Sequence, residues 1–168
     1  MLHRLLVGID HTDSAPVALS FATALARRER ASVHVLHANR LLVGGRGFTE
    51  LTSAEATELV DAAVLQLLEA GVDATGSVAR VSSFTIGQVI ADAARSRQCD
   101  AIVIGSARRT GSSRLVHPFG RGTRERITRY SLLPVLTAPP PLRVPGPRRW
   151  QGRTSLPSGG SPRTPVVR

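Results

Sequence analysis

The 168-residue chain contains no lysine, a single cysteine and few aromatic residues. Because Cys99 is the only cysteine, an intramolecular disulfide is excluded, which is typical of proteins from a reducing compartment such as the cytoplasm. No apolar run approaches the roughly 18 residues of a membrane span, and no signal peptide is recognisable. The sequence therefore predicts a cytoplasmic protein without a membrane partner.

Signatures of catalysis are missing as well. The chain has no nucleophile elbow, no cysteine–histidine nucleophile pair and no close pair of carboxylates. His34 and His37 lie three residues apart on a predicted strand, so their side chains point to opposite faces and cannot share a metal ion. These absences predict a protein that is not an enzyme and has no metal site of its own.

Positive charge is concentrated at the C-terminus. All 22 basic residues are arginine, against 12 acids, and residues 139–168 hold six of these arginines and no acid. The same segment contains eight of the eleven prolines and no apolar periodicity, so it cannot bury enough surface to offset the entropy of ordering. We expect a folded domain over residues 1–138 and a disordered tail over 139–168. The tail's charge predicts weak, nonspecific contact with nucleic acid, although its single aromatic residue, Trp150, excludes a stacking series.

Within residues 1–138, short β-branched runs alternate with amphipathic stretches. The runs predict strands at 4–9, 31–38, 75–81, 101–105 and 133–137. The stretches predict helices at about 14–28, 53–70 and 86–97 and a short fourth helix that begins at Thr123. Asp13 or Ser14 is expected to cap the first helix, and Thr52-Ser53-Ala54-Glu55 matches a capping box. The alternation predicts an α/β fold, an open five-stranded parallel sheet with helices on both faces.

Two of the predicted strands end where a ligand site is expected. The first strand runs into Asp10 and the fourth into Gly105. In an open parallel sheet, ligands bind outside the carboxyl ends of two such strands, where the strand order reverses. The loop after Gly105 is rich in arginine and glycine and leads to a helix N-terminus, and both features favour phosphate. The alternatives are a basic surface loop without a ligand and an Asp10 that only caps the first helix.

The order of several short segments resembles the universal stress protein family over roughly residues 3–138. The segments are Asp10 with Ser14, Leu36-His37-Ala38, Val103-Ile104-Gly105-Ser106, Glu125-Arg126-Ile127 and Leu133-Pro134-Val135-Leu136. The resemblance implies a Rossmann-type five-stranded parallel sheet in a cytoplasmic stress-response protein. It also implies a homodimer that forms through the last strand. Some members of the family bind ATP or another adenine nucleotide, and others do not.

Nucleotide-binding members carry glycine, two residues, glycine, nine residues, then glycine and serine or threonine. Gly105 matches the first position, but the second falls on Arg108. With the family's spacing, the final glycine and serine or threonine of the motif fall on Pro118-Phe119. Gly122-Thr123 matches this pair if the loop is about four residues longer than usual. A count back from Pro134 places the pair on Arg121-Gly122. The motif is therefore degraded, and Arg108 is either a phosphate ligand or an obstruction.

The resemblance also implies that Asp10 and Ala38 lie near the nucleotide. The predicted site is therefore Asp10 beside the nucleoside, with Ala38, and Gly105, Arg108, Gly122 and Thr123 around the phosphates. The expected ligand is ATP or AMP, with Mg²⁺ if it is ATP. The resulting hypothesis is a regulatory or binding module of the stress response. A nucleotide-free interaction or structural dimer is the alternative, and a nucleotide hydrolase is a weaker one.

Overall fold

A computed structural model of the chain describes residues 1–41, 49–106 and 121–139. Its five strands are β1 (Arg4–Ile9), β2 (Ser32–Arg40), β3 (Ala74–Val81), β4 (Ala101–Ile104) and β5 (Val135–Thr137). Every predicted strand is present. β2 continues two residues beyond its predicted end, because Asn39 and Arg40 still pair with β3. β5 starts two residues later than predicted, after Pro134, which has no amide hydrogen to donate.

Four helices connect the strands. They are α1 (Ser14–Glu29), α2 (Ser53–Glu69), α3 (Ile86–Ser96) and α4 (Arg121–Tyr130). The first three agree closely with the prediction. The predicted start of the fourth helix was wrong, because α4 already includes Arg121, which places Gly122 and Thr123 inside its first turn.

The strands form one fully parallel sheet in the order β3-β2-β1-β4-β5. The chain builds outwards from β1 to β3 and then returns past β1 to form β4 and β5. The strand order therefore reverses between β1 and β4, which confirms the expected position of the reversal. Ligands of open parallel sheets bind outside the carboxyl ends of the strands at this point.

Alternate residues of the strands enter two separate hydrophobic cores. Leu5, Val7 and Ile9 of β1 pack in the first core with buried residues of α1 and α2. Leu6 lies in the second core with buried residues of α3 and with Ile127 of α4. Both faces of the sheet are covered, which is why the central strands are almost continuously apolar. The predicted fold class is therefore confirmed.

The starts of α1 and α2 differ in how they are capped. Thr52 and Glu55 form the predicted capping box: Thr52 Oγ1 accepts from the Glu55 amide at 3.3 Å, and the Glu55 carboxylate accepts from the Thr52 amide at 2.8 Å. Asp13 occupies the N-cap position of α1 but makes no side-chain cap hydrogen bond. The prediction that Asp13 or Ser14 caps α1 was wrong, because Asp10 organises this turn instead.

Several predictions fall on residues that lie outside the described part of the chain. They are Arg108 with most of its loop and the tail from residue 140 onwards. Among the described residues, none of the helices is both long and apolar enough to cross a bilayer.

Candidate functional site

The carboxyl ends of β1 and β4 lie side by side. Gly8 and Ile104 are the last paired residues of these two strands, and the chain continues from them towards Asp10 and Gly105. The structure therefore brings together the two strand ends that the sequence singled out.

Asp10 is held rigidly by the turn that follows it. Its Oδ1 accepts hydrogen bonds from the Thr12 amide at 3.0 Å, the Thr12 hydroxyl at 2.6 Å and the Ser14 hydroxyl at 3.1 Å. Only 2% of Asp10 is exposed. Sequence reasoning missed the roles of Thr12 and Ser14; the signal was their spacing of two and four residues from the acid, which is typical of a turn that closes on its own side chain.

The second carboxylate oxygen of Asp10 has no such partners. Oδ2 is buried and accepts no hydrogen bond from any residue that the structure describes. Leaving a buried acceptor unpaired costs roughly 1–3 kcal/mol, and more when the group is charged, so such an atom calls for an explanation. A carboxylate oxygen repels phosphate but accepts from a hydroxyl or an amino group. Asp10 is therefore suited to the ribose or base of a nucleotide.

Gly105 has a structural role that the sequence did not show. A Cβ atom built on it would lie 2.7 Å from both the Cβ and the carbonyl oxygen of Ser14. A real Cβ cannot approach backbone so closely, and only glycine fits here. The absence of a side chain at 105 therefore lets the chain at the end of β4 lie against Ser14 in the first turn of α1.

Gly122 and Thr123 lie in the first turn of α4 but differ in exposure. A Cβ built on Gly122 would meet no described atom within 4 Å, whereas Thr123 is buried and 4% exposed. Gly122 therefore leaves the helix start open, where unpaired amides and the helix dipole favour an anion.

Ala38 and His37 line the neighbouring strand end. Ala38 is buried in the second core and lies one residue beyond the last β1–β2 pair, Ile9 and His37. His37 Nδ1 lies 3.1 Å from the carbonyl oxygen of Ile9, which can only accept, so Nδ1 carries the proton. Burial, opposed by this bond, lowers the pKa of His37. Its Nε2 is then an unprotonated acceptor, and it is buried without a described partner.

His34 lies on the opposite face of β2 from His37, as expected from their spacing of three residues. Its ring nitrogens contact Thr75 Oγ1 at 2.8 Å and Ser77 Oγ at 2.9 Å, both on β3. Within the described residues no group of three or more histidine, cysteine or acidic side chains is arranged to hold a metal ion.

The sequence and the fold both match known proteins. The chain matches the description "Universal stress protein family" over residues 1–139. A universal stress protein from Archaeoglobus fulgidus is 25% identical, with a TM-score of 0.63 over 83% of this chain and 100% of that one. The Archaeoglobus fulgidus protein in complex with dAMP is 24% identical, with a TM-score of 0.60 over 82% and 98%. A family protein from Burkholderia pseudomallei is 22% identical, with a TM-score of 0.62 over 82% and 96%. No curated protein sequence matches the chain.

Proposed function

The chain belongs to the universal stress protein family, and we propose that it acts in the cytoplasm as a regulatory binding module whose ligand is an adenine nucleotide. The observation that carries this proposal is the buried Oδ2 of Asp10, a residue beside the reversal of strand order; this oxygen accepts from no described donor. The complex of the Archaeoglobus fulgidus protein with dAMP supports the choice of nucleotide.

The nucleotide would span the strand ends between Asp10 and the start of α4. Asp10 Oδ2 would accept from the ribose or from the adenine amino group, near the backbone of Ala38. The amides around Gly122 would face the phosphates. Gly105, which lies against Ser14, would keep the end of β4 close to the turn that contains Asp10. Arg108 stays a predicted phosphate contact. Because guanidinium replaces the second motif glycine, we expect affinity in the micromolar range or weaker, roughly −8 kcal/mol or less favourable.

Asp10→Asn tests the proposal at a single atom. Asparagine retains the oxygen that accepts from Thr12 and Ser14 but replaces the unpaired Oδ2 with an NH₂ donor. We expect ATP or AMP to bind roughly 10- to 100-fold more weakly, because a hydrogen bond to a charged group contributes about 1.5–3 kcal/mol. Calorimetric titration and the rise in Tm with nucleotide measure the loss.

Asp13→Asn is the matched control, since Asp13 is exposed in the same turn and makes no cap hydrogen bond. It should bind nucleotide as the wild type does. If the wild type shows no thermal shift with millimolar ATP or AMP, the nucleotide proposal fails and the nucleotide-free interaction module takes its place.

We further propose that the module is a homodimer formed through β5. This strand lies at the edge of the sheet. Pro134 accepts from the Ile102 amide at 3.0 Å and the Ala138 amide donates to Ile104 at 2.8 Å, so alternate residues face β4. The backbone groups of Val135 and Thr137 then face outwards, where a second copy can pair with them.

Thr137→Pro should dissociate this dimer. Proline removes the outward amide of an exposed residue and leaves the bonds to β4 in place. Thr137→Val, which keeps the amide, should remain dimeric. Sedimentation velocity at micromolar concentration distinguishes the species, and circular dichroism checks the fold. A wild-type monomer in that measurement contradicts the proposal.

A further inference from the structure

A polar cavity lies at the end of the sheet opposite the proposed nucleotide site. The cavity has a volume of about 340 Å³. It lies where β1, β2 and β3 begin, so the full length of the strands separates it from Asp10. Its lining comprises Arg4, Ser32, Val33, His34, Asp73, Ala74, Thr75, Gly76 and Arg97.

Two arginines supply the charge of this cavity. Arg4 Nη1 donates to the backbone oxygen of Arg97 at 2.7 Å, and Arg97 Nη2 donates to Ser77 Oγ at 3.4 Å. Neither guanidinium forms an ion pair with any acid in the described part of the chain. Each keeps several N–H donors that these bonds do not use.

His34 adds a further donor to the cavity. It is buried, and burial together with the charge of Arg97 lowers its pKa to about 4. A neutral imidazole has one donor nitrogen and one acceptor nitrogen, so one of the Thr75 and Ser77 hydroxyls accepts from the ring and the other donates to it. When Nδ1 carries the ring proton, Thr75 Oγ1 accepts from it, and this hydroxyl, which lines the cavity, keeps its own hydrogen for another partner.

The nearby acids form no ion pair with either arginine, although Asp100 places a negative charge beside Arg4. Asp100 Oδ2 already accepts from the amides of His3 at 2.6 Å and Arg4 at 2.8 Å. Asp73 lines the cavity and is exposed, but it pairs with no described basic residue. The two guanidinium charges therefore exceed the single carboxylate of the lining.

We propose that this cavity binds a compact phosphate-bearing anion through Arg4 and Arg97, with the Thr75 hydroxyl as the third donor when His34 is protonated at Nδ1. The planar guanidinium group of arginine can donate two parallel hydrogen bonds to phosphate oxygens, and a hydroxyl can donate to a third oxygen. The site is independent of the proposed nucleotide site. Asp73 lowers its affinity because its carboxylate repels the anion.

NMR of the His34 ring in the full-length protein tests this site. Titration with inorganic phosphate at constant ionic strength should shift the His34 ring signals and reach saturation. Arg97→Gln should weaken the response about tenfold or more, because charge-assisted bonds are lost. Asp73→Asn should strengthen the response of the His34 signals to phosphate. If glycerol 3-phosphate also shifts the His34 signals, the site binds phosphate monoesters. If only inorganic phosphate shifts them, the ligand of the site is the free ion.

Two controls separate the site from general charge effects. Arg95→Gln removes an exposed arginine two residues away that pairs with Asp92 at 2.9 Å, and it should leave the response unchanged. Asp10→Asn should also leave it unchanged, so this proposal can fail or succeed independently of the nucleotide site. Arg97→Lys, which keeps the charge, should show an intermediate response if Arg97→Gln does not fold. The proposal would be overturned if phosphate did not shift the His34 ring signals, or if chloride shifted them equally. It would also be overturned if Arg95→Gln and Arg97→Gln weakened the response to phosphate by the same factor.

Discussion

Replacing Gly87 with alanine should lower the free energy of unfolding by about 2 kcal/mol, since overpacked sites lose about 1–3 kcal/mol. A Cβ built on Gly87 lies 2.7 Å from the backbone carbon and Cβ of Arg126 and 2.8 Å from its backbone oxygen. These atoms belong to α4, so α3 and α4 would have to separate. Both helices cover the second core, through Ile90 and Ile127, and the displacement would loosen that core.

Gly122→Ala is the matched control, because Gly122 is also helical but has open space around it. Alanine favours helix by roughly 0.5–1 kcal/mol in a helix interior, so this variant should be as stable as the wild type or slightly more stable. Urea unfolding followed by circular dichroism measures both variants. Equal stability of Gly87→Ala and the wild type would show that α4 can shift freely relative to α3.

Acidification from pH 6.5 to pH 4 should lower the free energy of unfolding by about 3 kcal/mol through His34 alone. The folded state lowers the pKa of His34 from 6.5 to about 4, which corresponds to about 3 kcal/mol. Between these values the unfolded chain binds a proton that the folded chain excludes. The stabilisation is therefore complete above pH 6.5 and is lost as the pH falls towards 4. Burial also lowers the pKa of His37, which acts in the same direction.

His34→Gln should flatten this dependence on pH. Glutamine cannot titrate, so the loss of stability between pH 6.5 and pH 4 should shrink by most of the His34 contribution, whatever the variant's stability at neutral pH. Urea unfolding at four or five pH values measures the slope. Equal slopes in His34→Gln and the wild type would contradict this account of His34.

Much of the candidate site could be predicted from the sequence, because strand ends are local features. The β-branched runs before Asp10 and Gly105 predicted two buried parallel strands, and the structure confirms that their carboxyl ends are adjacent. Asp10 and Gly105 followed from that arrangement, whereas Gly122 was identified through the resemblance to the family's nucleotide-binding motif. The contribution of Arg108 stays a prediction.

Other details depended on contacts that no local pattern encodes. The fourth helix includes Arg121, although the pattern placed its start at Thr123. Asp13 looked like a cap, but the turn closes on Asp10, because a buried carboxylate can accept from Thr12 and Ser14 together. A capping box such as that of Thr52 and Glu55 needs only its own four residues, so it was predicted correctly.

The sequence by itself determined the order of strands and helices, the parallel α/β class and the residues at the strand ends. These properties follow from apolar periodicity and turn chemistry, which act over a few neighbouring residues. Only the tertiary structure decided that one buried oxygen of Asp10 has no partner among the described residues, that Gly105 lies against Ser14 and that Arg4, His34 and Arg97 share a cavity. The reason is that burial and close packing arise between segments distant in the chain, and their spacing is set by the whole sheet.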